Sequence, residues 1–203
     1  MPMNTLFCFD LDGTLTRREL LPLIAAEVGL EHEFDVLTKL TIDGVISFEE
    51  SLRLRFAILK TISIDKVQNV IAEAELFKNL ISFIKERKDS CYVITGNLDV
   101  WIRPLMESIG CNYLCSKTNS EGDKLISLDY IMHKGQAISK LRQLFPNRVV
   151  VAIGDGNNDY EMFEAADKSI SVGLTHNPSP NLIAVSDYIV YHEDSLCRLL
   201  NTL

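Results

Sequence analysis

The sequence predicts an α/β fold: a parallel sheet with helices on both faces and a small α-helical cap inserted near its start. Three observations carry this expectation. Apolar runs of strand length recur along the 203 residues. Stretches with apolar residues at helical spacing separate them, which is the pattern of a parallel sheet joined by crossover helices. One region, from about residue 17 to 76, breaks the alternation with helical patterns alone.

Taken in order, Leu6-Phe7-Cys8-Phe9 is an apolar run that predicts a buried strand over 6–10. Helical patterns follow over 20–28, 31–41, 48–59 and 65–74, with Gly29 and Gly44 as breaks. Ser47, followed three residues later by Glu50, is a capping box ahead of an apolar run. About 60 residues of helix between two strands exceed a simple crossover. The expected division is therefore a Rossmann-like core of residues 1–16 and 77–203 with a cap over 17–76; Gly44 and Arg17-Arg18 are expected hinge points. The second strand is expected over 91–95, and Leu98, Ile102, Leu105, Met106 and Ile109 mark the helix after it. Asn119-Ser120-Glu121-Gly122-Asp123 reads as a turn cluster between 113–116 and 125–128, a short hairpin. Ile138, Leu141, Leu144 and Phe145 repeat at helical spacing, and strands are expected over 149–154, 169–172 and 188–190.

Composition narrows the class. The chain is 47% hydrophobic and 24% charged, as soluble globular proteins are. Its net charge of −8 argues against nucleic acid or an anionic membrane as main partner. No targeting segment and no span of membrane length is visible. The five cysteines are scattered without a C-x-x-C pair and read as reduced thiols of a cytoplasmic protein. Cys111 and Cys115 could contribute to a metal site, but no second Cys or His pair accompanies them.

The chemistry concentrates in four short segments at strand ends or helix starts: Asp10-Leu11-Asp12-Gly13-Thr14, Thr95-Gly96-Asn97, Lys134-Gly135, and Asp155-Gly156-Asn157-Asn158-Asp159. In a parallel sheet the carboxyl ends of the strands face one crevice, where such folds bind ligands. Each segment alone has an ordinary reading. Asp12-Gly13 alone is a turn, Thr95 alone an N-cap, Lys134 alone a surface lysine, and the last segment alone a solvated loop or part of a calcium loop, although the EF-hand ligand spacing is absent.

Together, and in this order, the four segments resemble the motifs of the haloacid dehalogenase superfamily in its phosphatase branch. The resemblance implies that Asp10 attacks phosphorus and forms an aspartyl phosphate. Asp12 would protonate the departing alkoxide and then activate water. Thr95, the Gly96 N–H and Lys134 would hold the phosphoryl oxygens, where charge is stabilised in the transition state. Asp10, the Asp12 backbone carbonyl and Asp155 would ligate Mg²⁺, a hard ion suited to oxygen ligands. Asp159 would orient Lys134, and Asn158 would contact the phosphate. An Asp at position 12 also separates this chain from transport ATPases, which carry Thr there, and from the dehalogenases, which lack the acid.

The cap carries a second resemblance. Glu19 and the run Gly44-Val45-Ile46-Ser47-Phe48-Glu49-Glu50-Ser51-Leu52-Arg53-Leu54-Arg55 are similar to the phosphoserine phosphatase subfamily. That similarity implies Glu19 at the substrate amine, Phe48 closing over it, and Arg55 on its carboxylate. Phe48 and Arg55 lie two turns apart and share a helix face, and an Arg fork suits a carboxylate. Ordinary readings stand beside these: a first-turn helix acid, a core aromatic, a solvated charge. The chain departs from the subfamily at Asn97, where glycine is usual. If Asn97 lines the pocket, the leaving group could differ from serine. Trp101 nearby reads as core rather than as a substrate platform. The expected activity is Mg²⁺-dependent hydrolysis of a small phosphorylated metabolite, phosphoserine first, by a monomer or homodimer. Another metabolite, or phosphotransfer to an acceptor other than water, remains open.

Overall fold

Strand β1 (Thr5–Phe9) is buried along its whole length, and its alternate residues enter two different cores. Leu6 and Cys8 pack with Val150, Ala152, Ile138, Leu141 and Met162 on one face of the sheet. Phe7 and Phe9 pack with Val151, Ile153, Ile24, Leu80 and Leu196 on the other. Side chains alternate faces along a strand, so a strand apolar at every position needs cover on both sides. Phe7 meets Phe83 edge-on at 5.2 Å between ring centres, and full burial of a side chain of that size stabilises by roughly 1.5–3 kcal/mol.

The computed structural model describes residues 4–42 and 45–203. After β1 come α1 (Leu20–Val28), α2 (Glu31–Ile42), α3 (Phe48–Leu59), α4 (Ile64–Ala72) and α5 (Lys78–Glu86). Then follow β2 (Cys91–Leu98), α6 (Asp99–Ile109), β3 (Asn112–Glu121), β4 (Lys124–Tyr130), α7 (Lys134–Leu144) and β5 (Val149–Gly154). The chain continues through α8 (Tyr160–Ala165), β6 (Lys168–Val172), α9 (Pro180–Ala184), β7 (Tyr188–Val190) and α10 (Glu193–Leu200). The seven strands lie in the order β4-β3-β2-β1-β5-β6-β7. All neighbours are parallel except β3 and β4, which form an antiparallel hairpin. Without the hairpin's return strand this is the doubly wound order, in which the chain leaves β1 toward β2 on one side and later returns to β5 on the other. No helix among the described residues is long and apolar enough to cross a membrane.

Among the described residues, four helices and no named strand lie between Thr16 and Leu76. The two ends of this insertion meet: Thr16 and Leu76 form an antiparallel bridge. The Arg17 N–H donates to the Glu75 carbonyl (2.8 Å) and the Phe77 N–H to that of Leu15 (3.0 Å). α1 stops at Gly29, whose φ of 68° is the left-handed conformation a helix end takes most easily with glycine. The capping box of Ser47 and Glu50 is formed at the start of α3. α4 takes its cap from two places. Ser63 accepts from the Lys66 N–H, while Asp123, at the hairpin tip, accepts from the Ile64 N–H with its carbonyl (3.0 Å) and from the Asp65 N–H with its carboxylate (2.8 Å). Gly44, one expected hinge point, lies outside the described residues.

Three local expectations shift. β2 runs to Leu98 rather than ending at Thr95, because its pairing with β3 slips register between Thr95 and Leu98 and then resumes; Gly96 and Asn97 occupy the irregular stretch. The hairpin is longer than expected: Asn119 and Ser120 pair with Ser127 and Leu125, leaving the turn to Gly122 (φ 56°) and Asp123. These residues are polar because the ribbon is half exposed, not because the chain turns there. Helices α5, α8, α9 and α10 have no counterpart in the sequence reading; α8 and α9, at six and five residues, are too short to display a period.

Candidate active site

The carboxyl ends of β1, β2, β5 and β6 converge on one buried cluster. Asp10 follows β1 directly and is 3% exposed; its N–H donates to the Ile153 carbonyl (2.8 Å), so the strand ladder fixes its place. Lys134, the first residue of α7 and 5% exposed, reaches Asp10 Oδ1 at 2.5 Å and Asp159 Oδ1 at 2.6 Å. The other Asp159 oxygen accepts from the N–H groups of Asp155 (3.0 Å) and Gly156 (3.1 Å). Asp155, after β5, accepts from Thr14 Oγ1 (3.0 Å) on one oxygen and faces His176 Nε2 (2.8 Å) with the other. Gly13, at φ 71°, packs so closely on Asp155 that an added Cβ would overlap it.

Charge in this cluster is unbalanced. Burial, then the Asp159 charge, pushes Asp10 well above the usual carboxylate range in spite of Lys134. Burial alone would lower the Lys134 ammonium, but Asp10 and Asp159 outweigh it and hold it above its ordinary value. Burial is also the main cause raising Asp159. Oxygens of Asp10, Asp155 and Asp159 lie within 4.8 Å of one another. Three buried hard-oxygen groups with more negative charge than the neighbouring cations balance are a fitting cradle for a divalent cation. Neither of the two groups able to hold a metal among the described residues includes Cys111 or Cys115, and no disulfide involves them.

Asp12 sits in front of this cluster. Its Oδ1 accepts from the Leu20 N–H (2.8 Å), and its Oδ2 from Asn97 Nδ2. Asp10 and Asp12 form the floor of a cavity of about 150 Å³ with Thr95, Gly96, Asn97 and Asn158; Glu19, Phe48 and Arg55 border it from the helical insertion. Lys134, Asp155 and Asp159 lie behind the floor. The sequence-predicted residues are thus brought together, the deep ones as an ion cluster and the others around one cavity.

The bordering residues differ in how they are held. Phe48 is 40% exposed and lies over Gly96, where an added Cβ would come within 2.9 Å of its ring. The Arg55 guanidinium is partly buried, and burial lowers its pKa. Its partners among the described residues are neutral: Thr38 Oγ1 (2.7 Å), the Phe34 carbonyl (3.4 Å) and the Phe34 ring. Its Nε is buried with no hydrogen-bond partner. Glu19, at the cavity mouth, is pushed up to about 7 by burial and by the charges of Asp12 and Asp155.

Two residues escaped the sequence reading. Thr14 holds Asp155 from within the first motif. His176, 3.6 Å from Glu19 as well as beside Asp155, is pushed up to about 9, chiefly by its bond to Asp155. It follows β6, and its signal was position alone, another carboxyl end of a parallel strand. Trp101 is both core and wall: it is 2% exposed and packed in the larger core, yet it borders the cavity with its indole N–H buried and unpartnered.

A fold with buried acids at these strand ends defines a class. The chain matches the family model of the haloacid dehalogenase-like hydrolases over residues 7–164 and belongs to that family. Within it, the chain is phosphoserine phosphatase-like. It is 31% identical over 177 residues to the phosphoserine phosphatase of Methanocaldococcus jannaschii, covering 82% of this chain and 84% of that protein. It is 26% identical to phosphoserine phosphatase SerB2 of Mycobacterium tuberculosis, covering 92% of this chain but spanning only 47% of that longer relative. A solved structure described as a phospho-aspartyl intermediate analogue of phosphoserine phosphatase superimposes with a TM-score of 0.80 at 28% identity, covering 99% of each chain.

Proposed function

We propose that this chain hydrolyses a phosphomonoester through an aspartyl phosphate, with Mg²⁺, and that phosphoserine is its substrate. The observation that carries the reading is the pairing of Asp10 and Asp12 at one cavity floor: one acid is locked to Lys134, the other faces the cavity on separate anchors. Two carboxylates in such unlike surroundings suit two different tasks.

In the first step an Asp10 oxygen forms a bond to phosphorus, the ester P–O bond breaks, and Asp12 gives its proton to the departing alkoxide. In the second, Asp12 takes a proton from water, the water oxygen attacks the acyl phosphate, and phosphate leaves Asp10 free. Thr95, the Gly96 N–H and Lys134 hold phosphoryl oxygens, and Asp159 keeps Lys134 in place. Bound Mg²⁺, held by Asp10, Asp155 and the Asp12 carbonyl, would screen the phosphate charge from the attacking anion. Asn158 contacts the phosphate from the cavity floor.

Residues 17–76 act as the cap. Arg55 suits the substrate carboxylate, because it is a partly buried cation without an acidic partner among the described residues. Glu19 suits the amine, and Phe48 closes over both. A second reading, another small phosphorylated metabolite, draws support from Trp101, whose unpartnered indole N–H borders the cavity.

Phosphate release with Mg²⁺ tests the proposal over phosphoserine, phosphothreonine, sugar phosphates and nucleotides. Asp10→Asn keeps the size and removes the nucleophile. Loss of at least ~10³-fold in kcat is expected, since groups that act as a unit fail together; wild-type turnover by that variant would sink the mechanism. Product analysis with added alcohols separates hydrolysis from phosphotransfer.

A further inference from the structure

Asn97 stands between the two acids' neighbours in a way that a substrate ligand would not need. It is 8% exposed and sits where β2 slips register. Its Nδ2 donates to Asp12 Oδ2 and, at 3.0 Å, to Thr95 Oγ1. Its backbone N–H donates to the same hydroxyl at 3.2 Å. These contacts fix the amide orientation, because an oxygen in place of Nδ2 would face a carboxylate. An amide nitrogen carries two hydrogens, and both are used inside the protein. The Thr95 hydroxyl, accepting two N–H groups, keeps its own hydrogen for the cavity.

We infer that Asn97 is a positioning residue: it holds the Asp12 carboxyl against the leaving-group oxygen, braced on Thr95, rather than binding the leaving group. The inference rests on the proposed phosphatase mechanism. Asp12 is then anchored from two elements, by the Leu20 N–H at the start of α1 (2.8 Å) and by Asn97 on β2. A carboxyl held by one anchor alone can swing about its Cβ–Cγ bond, and a small misplacement of a reacting group lowers its rate steeply.

The test uses leaving groups that differ in their need for a proton. A p-nitrophenolate departs unaided; an alkoxide does not. Purified enzyme with Mg²⁺ is assayed on p-nitrophenyl phosphate, phenyl phosphate and phosphoserine. Asn97→Ala is expected to lower kcat/KM about 10- to 100-fold on phosphoserine and less than ~3-fold on p-nitrophenyl phosphate, phenyl phosphate lying between. Asn97→Asp, equal in size but repelling Asp12, should give the same ordering. Adding Asn97→Ala to Asp12→Asn should cost little more than Asp12→Asn alone, because the two act through one group. Equal losses on all three esters, no loss on phosphoserine, or additive losses in the double variant would overturn the role. If instead the wild type releases no phosphate from any ester, or Asp10→Asn matches it, the phosphatase mechanism itself fails and the positioning role falls with it.

Discussion

The floor and the wall of the cavity are built on opposite principles. At the floor and directly behind it, Asp10, Lys134, Asp155 and Asp159 are no more than 5% exposed and tied to one another at hydrogen-bond distance. On the wall, Phe48 is 40% exposed, the Glu19 side chain 48%, and Arg55 spends its bonds on neutral oxygens. Groups that make and break bonds need fixed places before the substrate arrives. Groups that recognise it need donors still unspent when it does. Under the proposed function, the difference teaches that the reaction belongs to the buried, tightly bonded strand ends and the choice of substrate to the more exposed helical surface.

The comparison is open to attack at several points. The harshest is Lys134→Ala, which leaves Asp10 and Asp159 buried without their cation; removing one partner of a buried pair costs about 3–5 kcal/mol, read as a lower urea midpoint, with activity lost as well. A variant as stable as wild type would mean that the floor is not tied as described. Metal removal comes next. Mg²⁺ at about a hundred times its Kd should stabilise the protein by ~2.7 kcal/mol, reversed by chelator and absent in Asp155→Ala. Arg55→Ala should lower kcat/KM for phosphoserine about 10- to 100-fold, the range of a charge-assisted bond, while hardly moving the melting temperature. The opposite pattern, a melting loss with unchanged kinetics, would make Arg55 a structural residue and erase the contrast. The smallest effect is expected from Asp123→Ala, which strips one cap from α4 and costs about 1 kcal/mol, seen as faster amide exchange at Asp65.

Legibility followed the same division. The floor could be read because each of its residues sits beside a glycine or a strand end that leaves a local mark: Asp12-Gly13, Thr95-Gly96, Lys134-Gly135, Gly154-Asp155. The helices at 20–28 and 48–59 were legible through periodicity and, for the second, its capping box, and they match α1 and α3. What stayed hidden depended on partners distant in the chain. Nothing near His176 announces that it will meet Asp155, and nothing near Asn97 announces Asp12, 85 residues away. The paired residues Asn119 and Ser120 looked like a turn because a ribbon exposed on one side has a loop's composition. The family match over residues 7–164 and the seven-stranded sheet fit the expected α/β class, and the hairpin's return strand is its antiparallel exception.

The tip of that hairpin has a consequence of its own. The first two N–H groups of α4 are satisfied by Asp123, 58 residues downstream of Asp65, and Gln68 on the same helix donates to the Val100 carbonyl of α6 at 2.6 Å. A helix end stripped of acceptors is costly to bury and prone to fray. The ribbon and the helical roof therefore borrow order from each other, and they should melt as one piece although α5, β2 and α6 separate them along the chain. Shortening the ribbon by one residue pair would reset where the roof comes to rest above the acids, with no acid touched.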